Sequence, residues 1–324
     1  MERSWALPTT LLLVCVALGF VLTKKQPTPE KPFDGVSTKV LLDPHVEKPA
    51  IWLYYNNSDV NSRFWSDFGA RSSRVLNKPY LNLCYESIVL AAKDNYRIEI
   101  IKGLDDATRL LGGPEFLPSP LRNPKAVLLE EEVNFLSIAI LTKLGGLWIN
   151  PSTICIREIP VLPENSIIAF GSSDTETYSG PDGTVVPNTQ ILWAPRPNTP
   201  MFQKWASMLY ERLDGYGGGQ RARRDGQWDW LYVTTGACGV QSWQNSTVQR
   251  KENGRRIEIE DLLAAGTEGV LPFPLGHDAI FVPIPYYELE RRSAYGWFLR
   301  MSEAQIMESD LAIKYLFEAG KNIN

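Results

Sequence analysis

The chain has 324 residues, 44% hydrophobic and 22% charged, with 33 Lys and Arg against 37 Asp and Glu for a net charge of −4. That supports a sizeable core, in one large domain or two small ones. Lacking a basic face, the chain is a poor partner for nucleic acid, and its two His, His45 and His277, argue against a His-rich metal site.

Residues 1–5 form a short tail. Residues 6–23 (ALPTTLLLVCVALGFVLT) carry no charge and are flanked by Arg3 and by Lys24-Lys25. A run of that length is near the lower limit for crossing a bilayer. A cleaved signal peptide is the competing reading, but no small-x-small site follows the run, which favours an uncleaved signal-anchor. The flanking charges leave the orientation open. Residues 24–48 are rich in Pro and Lys and read as an extended stem, with the globular part at 49–324. Sequons begin at Asn56 and Asn245 and fit a lumenal C-terminal part, although such triplets also arise by chance. Beyond the apolar run the cysteines are Cys84, Cys155 and Cys238, so at most one disulfide can form among them.

AIWLYYN (50–56) reads as a buried strand. PYLNLCYESIVLAAKDN (79–95) has helical spacing, and YRIEIIKG (96–103) alternates as a strand. LDDATRLLG (104–112) is a short helix stopped by Gly. Over 126–144, Leu129, Val133, Leu136, Ile140 and Leu144 fall on one helical face. Gly145-Gly146 stops that helix, and LWIN follows as a strand. SIIAFG (166–171) and QILWAP (190–195) are two more strands. TPMFQKWASMLYERL (199–213) is a helix with Pro in its first turn, 215–226 is a Gly- and Arg-rich loop, and a helix over about 302–319 closes the chain. Strands alternating with helices predict an α/β domain with a largely parallel sheet. Ligands of such sheets bind beyond the carboxyl ends of the strands, where Asn150-Pro151-Ser152 stands.

The unit NFLSIAILTKLGGLWINPSTICIREIP (134–160) resembles the central motif of the capsular-polysaccharide-synthesis and DXD-containing glycosyltransferase-like families. Their pattern is an Asp, an Arg three residues on, an apolar helix, Gly-Gly, a short strand and an acidic strand end. IWLYY, YRIEII leading into LDD, PNTQILWAPRPNTPMFQKWASML and TTGACGV follow the same order, so the resemblance covers about 48–300. It implies a GT-A type, Rossmann-like nucleotide-diphospho-sugar transferase domain, single and set behind an N-terminal transmembrane anchor. Such proteins are type II and sit in the Golgi or ER membrane with the catalytic part lumenal. They bind a nucleotide sugar and pass a hexose to a glycan or glycolipid acceptor. Mn²⁺ or Mg²⁺ bridges the phosphates and offsets the charge that builds on the leaving group.

The charges of that motif are missing here. The Asp position falls on Asn134, the Arg position on Ser137, and the acidic strand end on Asn150 and Ser152. An Asn carbonyl can ligate a hard cation and Ser can reach it through water, but neither supplies charge, and Pro151 removes a backbone N–H. Three readings follow: a transferase with weak or no metal dependence, a non-catalytic relative that binds a sugar, nucleotide or partner, and a purely architectural likeness. In the first, Arg221, Arg223 and Arg224 would meet the phosphates with guanidinium forks, unless that loop is simply a solvated surface.

The remaining candidates are weighed against plainer roles. Asp105 and Asp106 suit a donor base or ribose, and equally a helix N-terminus. Glu130, Glu131 and Glu132 read as a solvated acidic first turn. His277 and Asp278 could act as ligand or base, although a structural turn explains them too; a late His that helps hold the metal in related proteins has no equivalent in Tyr295-Gly296-Trp297. The resemblance puts Asn188, Thr235 and Gly236 near the acceptor, and Trp228 and Trp230 offer faces for a sugar, or for a core. There is no G-x-S-x-G for a Ser hydrolase and no phosphate-binding Gly loop after a strand.

Overall fold

The computed structural model describes residues 48–56, 59, 78–125, 127–171, 190–215, 230, 232–234, 237–248, 256–266, 271 and 273–323. The expected anchor at 6–23, nearly all of the stem, and most of the loop at 215–226 lie outside them. Among the described residues no helix is long and apolar enough to cross a membrane.

The elements follow the hydrophobic pattern closely. Strand β1 is Ala50–Tyr55, α1 is Pro79–Ala92, β2 is Arg97–Lys102 and α2 is Gly103–Leu111. Helix α3 is Glu130–Leu144, β3 is Gly146–Ile149 and β4 is Thr153–Cys155. Strand β5 is Ile167–Phe170, β6 is Ile191–Ala194, α4 is Pro200–Asp214 and β7 is Val240–Trp243. A short α5 (Ile259–Leu262), strand β8 (Phe281–Pro283) and helices α6 (Tyr286–Arg291) and α7 (Gly296–Leu299) lead to α8 (Glu303–Glu308) and α9 (Ala312–Lys321).

The main sheet has the order β2-β1-β3-β6-β5-β7, and β4 pairs with β8 in a separate ribbon. The sheet is parallel-rich, as expected, but mixed. Pairs β1–β2, β1–β3 and β5–β7 are parallel, whereas β6 runs antiparallel to both β3 and β5. Eleven residues separate β4 from β5, β6 returns antiparallel to β5, and the connection of the parallel β5–β7 pair runs through β6 and α4.

All six residues of β1 are buried, which is what a strand covered on both faces requires. Ala50, Trp52 and Tyr54 face one core with Leu104 and Leu110 of α2, Phe135 and Ile138 of α3, and Phe202 and Trp205 of α4. Tyr55 faces the other way, beside Cys84 and Tyr85 of α1. The three cysteines Cys84, Cys155 and Cys238 are free thiols.

The Gly-Gly pair after α3 has two jobs. Gly145 closes the helix through its N–H to Leu141 O, with φ +66°, and Gly146 starts β3 at φ +98°. A Cβ on Gly146 would lie 2.5 Å from Ala50 O and 2.8 Å from Trp52 Nε1, so only Gly lets β3 lie this close to β1. The closing helix expected over 302–319 is two helices. Between α8 and α9, Leu311 forms an antiparallel bridge with Ala265, Gly266 N donates to Asp310 O and Ala312 N donates to Ala264 O. That pairing pulls the chain out of the helical path.

Candidate functional site

The sheet order places a switch point between β1 and β3. From β1 the chain passes through α1 to β2 on one side, then returns to pair β3 on the other, and all three strands run the same way. Crevices at the carboxyl ends of such strands are where open α/β sheets take ligands. A crevice lies there. Tyr54, Asn56 and Asp59 come from the end of β1, Trp148, Asn150, Pro151 and Ser152 from the end of β3, and Leu81, Val133, Tyr286 and Tyr287 close it.

Asn150-Pro151-Ser152 is therefore at the predicted address, but its polar atoms are in use. Asn150 Oδ1 accepts from Ser152 N at 3.0 Å, the Asx turn that an Asn before Pro favours. Ser152 is 1% exposed; its Oγ lies 3.2 Å from Tyr80 Oη, and its carbonyl accepts from Ile284 N at 2.8 Å. A metal expected on Asn150 and Ser152 would have to share these oxygens with the bonds they already hold. Among the described residues no three acidic, His or Cys side chains gather as a hard divalent cation would require.

The one carboxylate lining the crevice, Asp59, is 2% exposed and held on every side. Its oxygens accept from Asn56 N at 3.2 Å, from Lys78 Nζ at 2.5 Å and from Tyr286 Oη at 3.0 Å. Lys78 also pairs with Glu290 and donates to Tyr286 Oη at 3.1 Å. Burial, and then the charges of Asp59 and Glu290, push the Tyr286 phenol far above its ordinary range, so it stays a neutral donor. Tyr54 and Tyr287 are raised in the same way, first by burial and then by Asp59 and Glu132 for Tyr54 and by Glu130, Glu290 and Glu131 for Tyr287.

Two other wall groups remain open. The Tyr54 hydroxyl and the Trp148 indole N–H have no hydrogen-bond partner among the described residues, although the two side chains are only 5% and 3% exposed. On a crevice wall such a hydroxyl and N–H are groups that water or a ligand can meet.

Other expected site residues lie elsewhere. Asp106 accepts from Lys102 N at 3.0 Å and pairs with Arg109, and Asp105 is exposed in the same first turn, so this pair serves the start of α2. Asn134 gives its carbonyl to the Ser137 hydroxyl at 2.8 Å inside α3, and neither residue lines the crevice. The acidic turn of α3 is not wholly solvated, because Glu132 is buried, pairs with Lys125 and accepts from Leu129 N at 2.9 Å. His277 and Asp278 contact each other at 3.1 Å on a turn where both side chains face solvent. Trp230 is a core residue rather than an acceptor platform: it is 4% exposed and packs edge-on against Trp205. Asn56 is 4% exposed, donates to Tyr286 Oη at 3.4 Å and accepts from Leu128 N at 3.0 Å, which leaves its nitrogen no open side for a glycan. Asn245 stands exposed beyond β7. Asn188, Arg221, Arg223, Arg224, Trp228, Thr235 and Gly236 lie outside the described residues.

Sequence reading missed Tyr54, Asp59, Lys78, Trp148, Tyr286, Tyr287 and Glu290. The signal for two of them was available: Tyr54 and Trp148 stand near the carboxyl ends of the strands that flank the switch point. Nothing local ties Asp59 to Tyr286, which is 227 residues away.

No family model matches the chain, and no curated protein matches it. Three similar solved structures are glycosyltransferases. One is involved in glycosylation of the major capsid of PBCV-1, at 10% identity and TM-score 0.36, covering 75% of this chain and 98% of the other. The others are GlyE of Streptococcus pneumoniae TIGR4 and its apo form, each at 9% identity, with TM-scores 0.35 and 0.37. Each covers 86% of this chain, which spans 61% of the GlyE chain. Likeness this slight leaves the reading of the crevice to its own geometry.

Proposed function

We propose that the chain is a glycosyltransferase-like protein that binds a saccharide-bearing ligand over the carboxyl ends of β1 and β3, at the mouth of this crevice. The observation that carries this is the pair of open donors, Tyr54 Oη and Trp148 Nε1, on an aromatic wall at a switch point. The motif resemblance in the sequence adds the class of ligand. In its catalytic form the protein moves a hexose from a nucleotide sugar to a glycan or glycolipid, anchored in the Golgi or ER membrane by residues 6–23 with the remainder lumenal. Exposed Asn245 is then the acceptor for a glycan of its own.

A non-catalytic form, a sugar-binding or scaffold subunit, is favoured by one observation. Asn150 Oδ1 and Ser152 Oγ, at the positions where the related motif carries acids, are already engaged within the protein.

The test is thermal unfolding of the purified full-length chain with UDP, GDP, their sugars and neutral glycans, with and without Mn²⁺. A ligand that binds only the folded state raises the transition temperature in proportion to its saturation. A rise with any of them supports the reading, and no rise with all of them sinks it. Transfer of label from a nucleotide sugar to a glycan separates the catalytic form from the binding form.

A further inference from the structure

We infer that the face formed by α3 and α4 is the contact through which two copies of this chain pair about a two-fold axis. This face shares no lining residue with the crevice, and the inference does not depend on the saccharide reading.

A groove of about 610 Å³ runs there, walled by Leu111, Phe116, Phe135, Ala139, Ala206 and Tyr210. The two helices run in opposite directions. Asn198 N, just ahead of α4, donates to Thr142 O near the end of α3 at 2.6 Å, while Phe135 in the first half of α3 packs edge-on against Tyr210, well along α4. The groove therefore has two distinct ends. Phe116, 57% exposed, and Lys143 stand at one, with Lys143 Nζ 5.6 Å from the ring centroid. Tyr210 and Glu211 stand at the other, about 12 Å away along the helix axis. Between them lie the small side chains of Ala139 and Ala206.

An open groove of this size with an aromatic floor is a surface that soluble proteins use for contact. Its two charges say what fits. Lys143 and Glu211 are both exposed, and neither forms an ion pair among the described residues. The charges beside them are directed elsewhere. Glu115 turns its carboxylate to Gly113 rather than pairing with Lys143. Asp214 accepts from Ser119 N at 2.7 Å and draws on Arg122, which donates to Tyr210 Oη at 3.0 Å.

A two-fold axis along the groove would set Lys143 against the partner's Lys143. An axis across the groove sets Lys143 against the partner's Glu211 and Phe116 against the partner's Tyr210, and symmetry makes each pairing twice. That axis passes over Ala139 and Ala206, where small side chains let two helix pairs approach closely. The face is thus complementary to itself in one orientation, charge to opposite charge and ring to ring, which singles out a second copy as the occupant.

Sedimentation of the full-length chain in detergent, over about 1 to 100 µM, tests this. The expected result is a monomer–dimer equilibrium, weakened at least about tenfold by Lys143→Glu and by Glu211→Lys, because each sets like charges together twice in every dimer. Both positions are exposed, so both variants remain folded by circular dichroism. The deciding arm is an equimolar mixture of the two variants. Each then meets opposite charge only on the other chain, and dimers return to the parental level. A chain that stays monomeric over this range overturns the inference, whether the groove stands open or takes a small amphiphile or another part of the same chain. Dimers that survive both reversals, as pairing through residues 6–23 would, place the contact on another surface and overturn it. So do dimers lost in each folded variant and not restored in the mixture.

Discussion

The indole Nε1 of Trp52 donates to the carbonyl oxygen of Gly145 at 2.7 Å, across 93 residues of chain. This bond fastens the end of α3 to the middle of β1 and so sets the approach of β3. Trp52→Phe leaves that carbonyl without its partner in a buried position. The expected cost is about 1–3 kcal/mol, read as a lower urea midpoint with an unchanged slope.

The neighbouring glycines separate two effects. Gly146→Ala puts a methyl 2.5 Å from Ala50 O at φ +98°, and the expected loss is about 3 kcal/mol or more. Gly145 has φ +66° and ψ −165°, a region open essentially to Gly alone, and its Cβ would come no nearer than 3.1 Å to the Arg196 backbone, so Gly145→Asn is expected to cost about 1–3 kcal/mol, mostly as backbone strain. Equal losses at the two positions would show that backbone strain, not the closeness of β1, sets the requirement.

Glu99 on β2 is fully buried, pairs with Arg97 through one oxygen and leaves Oε2 unbonded. Burial raises its pKa despite the opposing pull of Arg97. The folded chain therefore holds this proton to higher pH than the unfolded chain, and Glu99 lowers stability progressively as pH rises from the ordinary glutamate value through the folded one. Glu99→Gln removes that loss. Its stability relative to the parent is expected to be greater at about pH 7 than at about pH 4. A difference that stays constant across that range would show that Glu99 titrates alike in both states.

Lys78 bridges Asp59 and Glu290 at the edge of the crevice. Lys78→Met strands a carboxylate that is 2% exposed, and a loss of about 3–5 kcal/mol is expected. Asp59→Asn in the same chain should recover part of it. Additive losses in a double-mutant cycle would mean that the two groups are not coupled.

Restoring acids to the strand end should not restore a metal site. Asn150→Asp keeps an acceptor for Ser152 N and is expected to change stability by less than about 1 kcal/mol. Ser152→Asp places a charge at a 1% exposed position against Tyr80, and should cost about 2 kcal/mol or more. Stabilisation of the double variant by Mn²⁺ in thermal unfolding would contradict this.

Much of the fold can be read from the chain because hydrophobic period and Gly placement are local signals. AIWLYY, the face from Leu129 to Leu144 and the Gly-Gly stop each became the expected element. The pairing of those elements was harder. Strand β6 reads as apolar whether it runs with or against β3, and the three residues of β4 have no partner until β8, far along the chain. The site was legible as a location and not as chemistry. Asn150 and Ser152 were found by position, while their engagement depends on Tyr80 and on the turn itself. The aromatic wall needs Tyr286 and Tyr287, which a sequence scan has no reason to place beside Tyr54. Trp230 packs in the core, one of the two roles that its aromatic cluster left open.

The wide chain separation within the crevice has a consequence for how the protein matures. One wall comes from the first strand, another from β3, and the tyrosines that close it arrive with α6, near the C-terminus. A nascent chain that has not yet released α6 can pair β1 with β3 but has no closed crevice, and Asp59 then lacks Tyr286 and Glu290 lacks Lys78. Any ligand that needs the closed crevice would thus bind late in folding, only after the longest loops have closed. A fragment clipped ahead of Tyr286 would lack the tyrosines that close the crevice, so closure of the crevice reports completion of the chain.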